Sequence, residues 1–181
     1  MTVYLYHYYD KRSGPFRSLT ALPKEEACSV LERIKKERPY SFASHRDMDY
    51  IVKRCNCEAI VREKAKEKGI IMDIASPHYM VVEACPWLNT WFEEPGEIAI
   101  SIKDFDTAKV SFTYGDSMPT FSPRVNDGKE YRKKVYTYEE ILAVVEKYGM
   151  PQEWNANGEK GPERYIEAQV WTNSPIESYL R

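Results

Sequence analysis

The chain has 181 residues, of which 43% are hydrophobic and 30% charged, and its formal net charge is −2. This length and composition predict one globular domain over residues 1–181, large enough to fold around its own core without cross-links. The small net charge excludes a general attraction to nucleic acid or to an anionic membrane, and leaves only a local basic run at Arg132-Lys133-Lys134.

Cysteine spacing and hydropathy indicate where the chain resides. No two of the four cysteines have the C-x-x-C spacing of a zinc site or a redox dithiol. We therefore predict reduced, buried thiols, no metal site and a cytoplasmic protein. The N-terminal sequence is unlike a signal peptide, and no segment has the ~18 apolar residues of a membrane span, so we expect no membrane partner.

The first half of the chain predicts two strands and two helices. Aromatic and β-branched residues favour strands over residues 2–9 and 40–44. A helix is predicted after Pro23, where apolar residues recur with helical spacing from Ala27 to Ile34. A longer helix is predicted from Asp47 to Lys68. Its apolar face would consist of Met48, Ile51, Val52, Cys55 and Ala59.

The second half predicts mostly strands. A helix is expected between Thr137, which forms a capping box with Glu140, and the terminating Gly149. Early helices and late strands predict an α+β fold with a mixed, mostly antiparallel sheet and about three helices. The strands are expected over residues 78–84, 97–103, 109–114, 130–136 and 163–171.

Two long irregular stretches, Gly115–Gly128 and Met150–Pro162, separate these elements. Loops of this length in a compact domain tend to be functional. The second stretch contains polar residues and an indole, which are equally consistent with ligand contacts and with an ordered loop held by its own tryptophan. These residues are Gln152, Trp154, Asn155 and Asn157.

Candidate chemistry centres on two strand residues, His7 and Glu167. No P-loop, dinucleotide-binding, zinc-protease or serine-hydrolase motif is present. A buried His or Glu costs free energy unless it is paired, so such residues often mark a site. We expect the first and last strands to be neighbours, which would place both side chains in one cleft. The turn around Arg46, just before a helix, suits an anion.

Five short segments resemble the ADP-ribosyltransferase superfamily, above all the bacterial toxins that ADP-ribosylate DNA. Leu5-Tyr6-His7 resembles the family's opening strand, and Tyr165–Val170, with Glu167, resembles its closing catalytic strand. Between them, Phe42–Tyr50 is similar to the family's strand and turn, and two further strands follow in the expected order. These are Glu97–Ile102 and Val110–Asp116.

The resemblance implies NAD as the cofactor and assigns roles to individual residues. His7 would bond the adenosine ribose, and Arg46 would meet the pyrophosphate. Tyr40 or Phe42 would stack on the nicotinamide, and Ser44 lies in the same NAD-binding segment. Glu167 would be catalytic and would stabilise the oxocarbenium character of the nicotinamide ribose. No Asn-Asp-Ala-Arg-like segment is present, so the acceptor stays open between nucleic acid and protein.

Two alternatives remain at this point. One is a non-catalytic module that binds nucleic acid or protein through aromatic stacking and the basic run Arg132-Lys133-Lys134. The other is a small-molecule hydrolase with Cys85 as the nucleophile and His78 as its base. The oligomeric state does not follow from the sequence.

Overall fold

The computed structural model describes residues 2–180, which contain five strands and five helices. The strands are β1 (Tyr4–Asp10), β2 (His78–Val82), β3 (Pro95–Ser101), β4 (Val110–Tyr114) and β5 (Ile166–Val170). The helices are α1 (Lys24–Glu37), α2 (Tyr50–Glu67), α3 (Ser117–Phe121), α4 (Tyr138–Tyr148) and α5 (Pro151–Trp154).

The strands form one sheet in the order β3-β1-β2-β5-β4, and each neighbouring pair is antiparallel. The predicted α+β class is confirmed, and α1, α2 and α4 are the three longer helices. The sequence predicted a mixed sheet, but within residues 2–180 the parallel pairing consists of one isolated bridge, between Gly115 and Ile166.

Two predicted strands are wrong. Residues 42–45 form a turn of 3-10 helix, in which the Ser44 hydroxyl donates to the backbone carbonyls of Pro39 and Ser41, at 2.7 Å each. Local hydrogen bonds of serine therefore override the strand preference of the aromatic residues there. In the segment 130–136, Lys133 has a positive φ of 57°, and only Tyr136 pairs with the sheet, at Phe112.

The two faces of the sheet differ in chemistry. One face is apolar, and α4 packs on it through Ile141, Val144 and Val145. The other face carries a buried polar group that lies beneath α2 and α3, namely Tyr79, Ser111, Thr113, Glu167 and Gln169. The largest hydrophobic cluster lies on the apolar face, and smaller clusters around Val81 and Trp171 accompany the polar groups of the other face.

The predicted apolar face of α2 is also wrong. Met48 lies before the helix and is 83% exposed, and Val52 and Cys55 are exposed as well. The buried residues are Ile51, Cys57, Glu58, Val61 and Ala65. The buried side thus includes a carboxylate, which a search for hydrophobic spacing cannot select.

The ends of α4 follow the sequence prediction. The Thr137 hydroxyl accepts from the backbone N–H of Glu140, and the Glu140 carboxylate accepts from the backbone N–H of Thr137 at 2.9 Å. At the other end Gly149 has a φ of 78°, which a residue with a side chain rarely adopts, and its N–H bonds the carbonyl of Val145.

We expect Thr137→Ala to lower the free energy of unfolding by about 1 kcal/mol, because the helix loses its capping oxygen. Thr137→Ser keeps that oxygen and should retain most of the stability. Urea unfolding followed by circular dichroism measures both. Equal losses in the two variants would mean that the cap does not stabilise α4.

Candidate functional site

A cavity of about 900 Å³ lies between the polar face of the sheet and the layer formed by α1 and α2. It exists because β1 and β2 separate. β1 pairs with β3 along its whole length, but with β2 only at Leu5–Val82 and Tyr6–Val81. Beyond these pairs the strands diverge, and the cavity occupies the space that opens. Its volume is within the usual range for ligand sites, roughly 300–1,000 Å³.

His7 lies at this separation and is bonded on both sides. Its Nδ1 lies 2.9 Å from the carbonyl oxygen of Tyr79, and its Nε2 accepts the N–H of Phe16 at 2.8 Å. A carbonyl only accepts, so Nδ1 carries the proton and the ring is neutral. Burial lowers the pKa of His7 to about 4. Both nitrogens are occupied by the protein, so bonding a ribose would require one of these contacts to break.

The expected pairing of the first and last strands is wrong, because β2 lies between β1 and β5. Alternation along the strands also places His7 and Glu167 on opposite faces of the sheet. Both nevertheless line the cavity, because it extends into the gap between β1 and β2. The shared cleft therefore results from strand separation and not from neighbouring strands.

Glu167 is 4% exposed and lies on β5 among polar groups. Gln169 donates to its Oε1 at 3.0 Å, and Arg54 Nη2 lies 4.0 Å from its Oε2. Arg54 also donates to the Ser117 hydroxyl at 3.0 Å and covers the ring of Tyr79. Burial raises the pKa of Glu167, and the positive charge of Arg54 opposes this shift. The carboxyl is thus adapted to exchange a proton or to face a developing positive charge.

A second buried carboxylate, Glu58 on α2, fixes the walls around the site. It accepts from the Thr20 hydroxyl at 2.5 Å and from the Tyr79 hydroxyl at 2.7 Å, and Arg62 approaches at 3.3 Å. These contacts join α2 to β2 and to the loop after β1. Asp116, just after β4, similarly accepts from the hydroxyl of Tyr165 at 2.8 Å.

The outer part of the cavity combines aromatic rings with arginines. Phe42 stacks on Trp91 with ring centroids 4.2 Å apart, and the Arg46 guanidinium covers the ring of Tyr50 at 4.1 Å. Three buried N–H groups of this wall have no acceptor within residues 2–180. They are Nε of Arg38, Nε of Arg46 and Nε1 of Trp91. Such donors are suited to a ligand with anionic oxygens.

The predicted site residues are thus only partly brought together. His7, Phe42, Arg46 and Glu167 line the cavity. Tyr40 is 87% exposed and Ser44 bonds backbone carbonyls, and neither is part of the cavity wall over the residues that the structure describes.

Neither a protein-family model, nor a curated protein, nor a solved structure matches this chain.

The hydrolase alternative does not fit the arrangement of Cys85 and His78. Cys85 follows the C-terminal end of β2, where its thiol donates to the carbonyl of Arg164, while His78 starts β2 and bonds Asn173. Burial raises the pKa of Cys85, whereas a nucleophile requires a lowered one. The cysteines also differ from the prediction, since Cys55 is exposed and Cys28 is half-buried.

The basic run does not form a free patch of three cations. Arg132 is 9% exposed and pairs with Asp127 and Glu163, which leaves Lys133 and Lys134 exposed. Within residues 2–180 there is no cluster of His, Cys, Asp or Glu that could hold a metal. Over the same residues, no helix has the length and apolarity needed to cross a bilayer.

The polar residues of the stretch Met150–Pro162 hold that stretch in place. Gln152 donates to the carbonyl of Val82, the Trp154 indole donates to the Tyr114 hydroxyl, and Asn155 donates to the carbonyl of Glu163. The stretch is therefore ordered, as in the second interpretation, but it begins with the short helix α5 and is not irregular throughout.

Sequence reasoning missed Arg54, Glu58 and Asp116. A signal existed for the first two, because Ile51, Arg54, Glu58 and Val61 share one side of α2 at helical spacing. Charged residues within an otherwise apolar helical side are expensive to bury, so they indicate partners from elsewhere in the chain.

We expect acid to destabilise the protein through His7. Its pKa is about 4 when folded and 6.5 when exposed, so the unfolded chain binds the extra proton first as the pH falls. The contribution of neutral His7 to the free energy of unfolding is fully present above pH 6.5, and roughly 2–3 kcal/mol of it is lost as the pH approaches 4.

Urea unfolding across this pH window measures the effect. His7→Gln should flatten the pH dependence, since an amide donates and accepts without titrating. His45→Gln makes the same substitution at an exposed position and serves as the control. If the free energy of unfolding of His7→Gln varied with pH as steeply as that of the wild type, His7 would not be the residue responsible.

Proposed function

We propose that the chain binds NAD in this cavity and transfers its ADP-ribose to an acceptor, with Glu167 as the catalytic residue. The observation that carries the proposal is the combination, in one cavity, of a buried carboxyl, aromatic walls and arginine N–H groups without acceptors. The order of the segments that resemble ADP-ribosyltransferases supports the same interpretation.

The carboxyl side of the cavity suits charge development at a ribose. In the proposed reaction the bond between C1′ and the nicotinamide nitrogen would break, and its electron pair would leave with nicotinamide. The acceptor would bond C1′ and release its proton to solvent. Glu167, held by Gln169 and Arg54, would supply negative charge beside this carbon in a buried site, where electrostatic interactions are stronger than in water.

The arginine side of the cavity suits the phosphates. Arg46 covers the ring of Tyr50 and still has a buried Nε–H without an acceptor within residues 2–180. Arg38 is partly neutralised by Asp10, whose carboxylate lies 3.7 Å from it. We therefore assign the main phosphate contact to Arg46, and stacking of a planar ring to Phe42 and Trp91.

His7 has a different role in this proposal from the one that the family resemblance implies. Its two ring contacts hold the separation of β1 and β2 that forms the cavity. It thereby shapes the site, and the acceptor remains open between nucleic acid and protein.

Glu167→Gln should release nicotinamide from NAD about 10²–10³-fold more slowly than the wild type, because a neutral amide cannot stabilise positive charge at C1′. The dissociation constant for NAD should change only a few-fold. Chromatography of released nicotinamide and calorimetry with NAD measure the two quantities. Glu97→Gln, at an exposed position on β3, is the matched control.

The outcomes separate transfer from binding alone. Binding of NAD without nicotinamide release by the wild type would leave a non-catalytic module. No NAD binding at millimolar concentration would reject the proposal entirely.

Arg46→Ala should weaken NAD binding about 10–100-fold, the size of a lost hydrogen bond to a charged group. Arg33→Ala removes an exposed arginine from α1 and should leave the affinity unchanged. Calorimetry at constant ionic strength compares the two variants. A similar loss in both would indicate a general effect of charge rather than a contact at the site.

A further inference from the structure

A chain of hydrogen-bonded side chains leads to Glu167 from the end of β5. The Trp171 indole donates to the Ser111 hydroxyl at 2.9 Å, and Ser111 donates to Oε1 of Gln169 at 2.8 Å. Nε2 of Gln169 then donates to Oε1 of Glu167 at 3.0 Å. Trp171, Ser111 and Gln169 are each 0% exposed, so bulk solvent does not reach them.

Trp171 determines which group donates and which accepts in each of these hydrogen bonds. An indole N–H only donates, so Ser111 must accept from Trp171, and its own O–H is left to donate to Gln169. The amide oxygen of Gln169 is thereby held on the Ser111 side. Reversing the amide would direct two N–H donors at the Ser111 oxygen and deprive its O–H of its acceptor.

A second contact holds the amide in the same orientation. Nε2 of Gln169 also donates to the Thr113 hydroxyl at 3.2 Å, and that hydroxyl donates to the carbonyl of Gly115 at 2.9 Å. Thr113 therefore already uses its proton, and its oxygen needs a donor. The NH₂ group of Gln169 must face both Thr113 and Glu167.

This orientation distinguishes the two oxygens of Glu167. Oε1 receives an N–H and so cannot carry a proton directed at Gln169. Oε2 has no contact with Gln169, Ser111 or Trp171, and Arg54 Nη2 lies 4.0 Å from it. The Ser117 hydroxyl, which accepts from Arg54, also approaches the Glu167 carboxyl. The other titratable groups facing Glu167 are Asp116, Tyr79, Tyr165 and Cys57.

We infer that Gln169, locked by Ser111 and Trp171, is a positioning residue that keeps Oε1 of Glu167 as an acceptor and reserves Oε2 for proton exchange and for the ligand. For the ligand, the inference rests on the proposed function. The orientation of the two oxygens does not depend on it and is open to a separate test.

The test is the titration of the Glu167 carboxyl in variants that unlock the amide. Ser111→Ala removes the hydroxyl that holds the amide oxygen, and Trp171→Phe removes the indole donor while keeping an aromatic ring in the core. In both, protonation at Oε1 becomes easier, and the titration midpoint should rise by about 0.5–1 pH unit. Trp154→Phe removes an indole donor that bonds Tyr114 instead and should cause no shift.

Infrared difference spectra of protein with ¹³C-labelled glutamate detect the protonated carboxyl groups. The band that is missing in Glu167→Gln belongs to Glu167. Ser111→Ala removes a single side-chain oxygen. If Trp171→Phe does not fold, the titration midpoint of Glu167 in Ser111→Ala alone tests the inference. Unshifted midpoints in the folded variants would overturn the inference.

Activity separates this inference from the proposed function. If the wild type releases nicotinamide, the acidic limb of the kcat profile should move with the carboxyl midpoint in Ser111→Ala, while the KM for NAD stays constant. A shifted carboxyl midpoint in a protein that releases no nicotinamide would reject the transferase proposal and retain the positioning role.

Discussion

The cavity depends on the separation of β1 from β2, which the neutral imidazole of His7 holds open. The ring takes the place of backbone pairing by joining the Tyr79 carbonyl to the Phe16 amide. Phe16 reaches this position with a φ of 55°, a backbone conformation that is unfavourable for a residue with a side chain. Its buried ring stacks on His7 at 4.0 Å, and this packing offsets the strain. Without the stacked rings of His7 and Phe16 at this position, continued pairing of β1 with β2 would close the space where a ligand fits.

The two faces of the sheet bury different kinds of groups. The apolar face packs against α4 and supplies the main core, whereas the opposite face buries charges from α2 and β5. Buried charges are costly unless each has partners, and here Glu58 is held by Thr20 and Tyr79. A network of this kind stabilises little relative to apolar packing, but it fixes the positions of its members.

The sequence predictions were accurate where interactions between near neighbours decide the structure, and inaccurate where distant segments do. α4 was predicted to its ends because Thr137, Glu140 and Gly149 act within one or two turns. The strand at 40–44 failed because serine hydroxyls captured nearby carbonyls, an alternative that aromatic content does not reveal. The apolar face of α2 failed because its buried side contains Arg54 and Glu58. Their burial is stabilised by residues far along the chain, which no pattern within the helix specifies.

By itself, the sequence determined the α+β class, the termini of α4 and the presence of polar residues within β1 and β5, because propensity, capping and alternation act between near neighbours. The tertiary structure alone decided the strand order, the separation at His7, the approach of Arg54 to Glu167 and the contact by which Ser111 orients Gln169. These features join segments that lie far apart along the chain. Whether a carboxyl is buried, and which of its oxygens is bonded, follows only from the partners that folding brings to it.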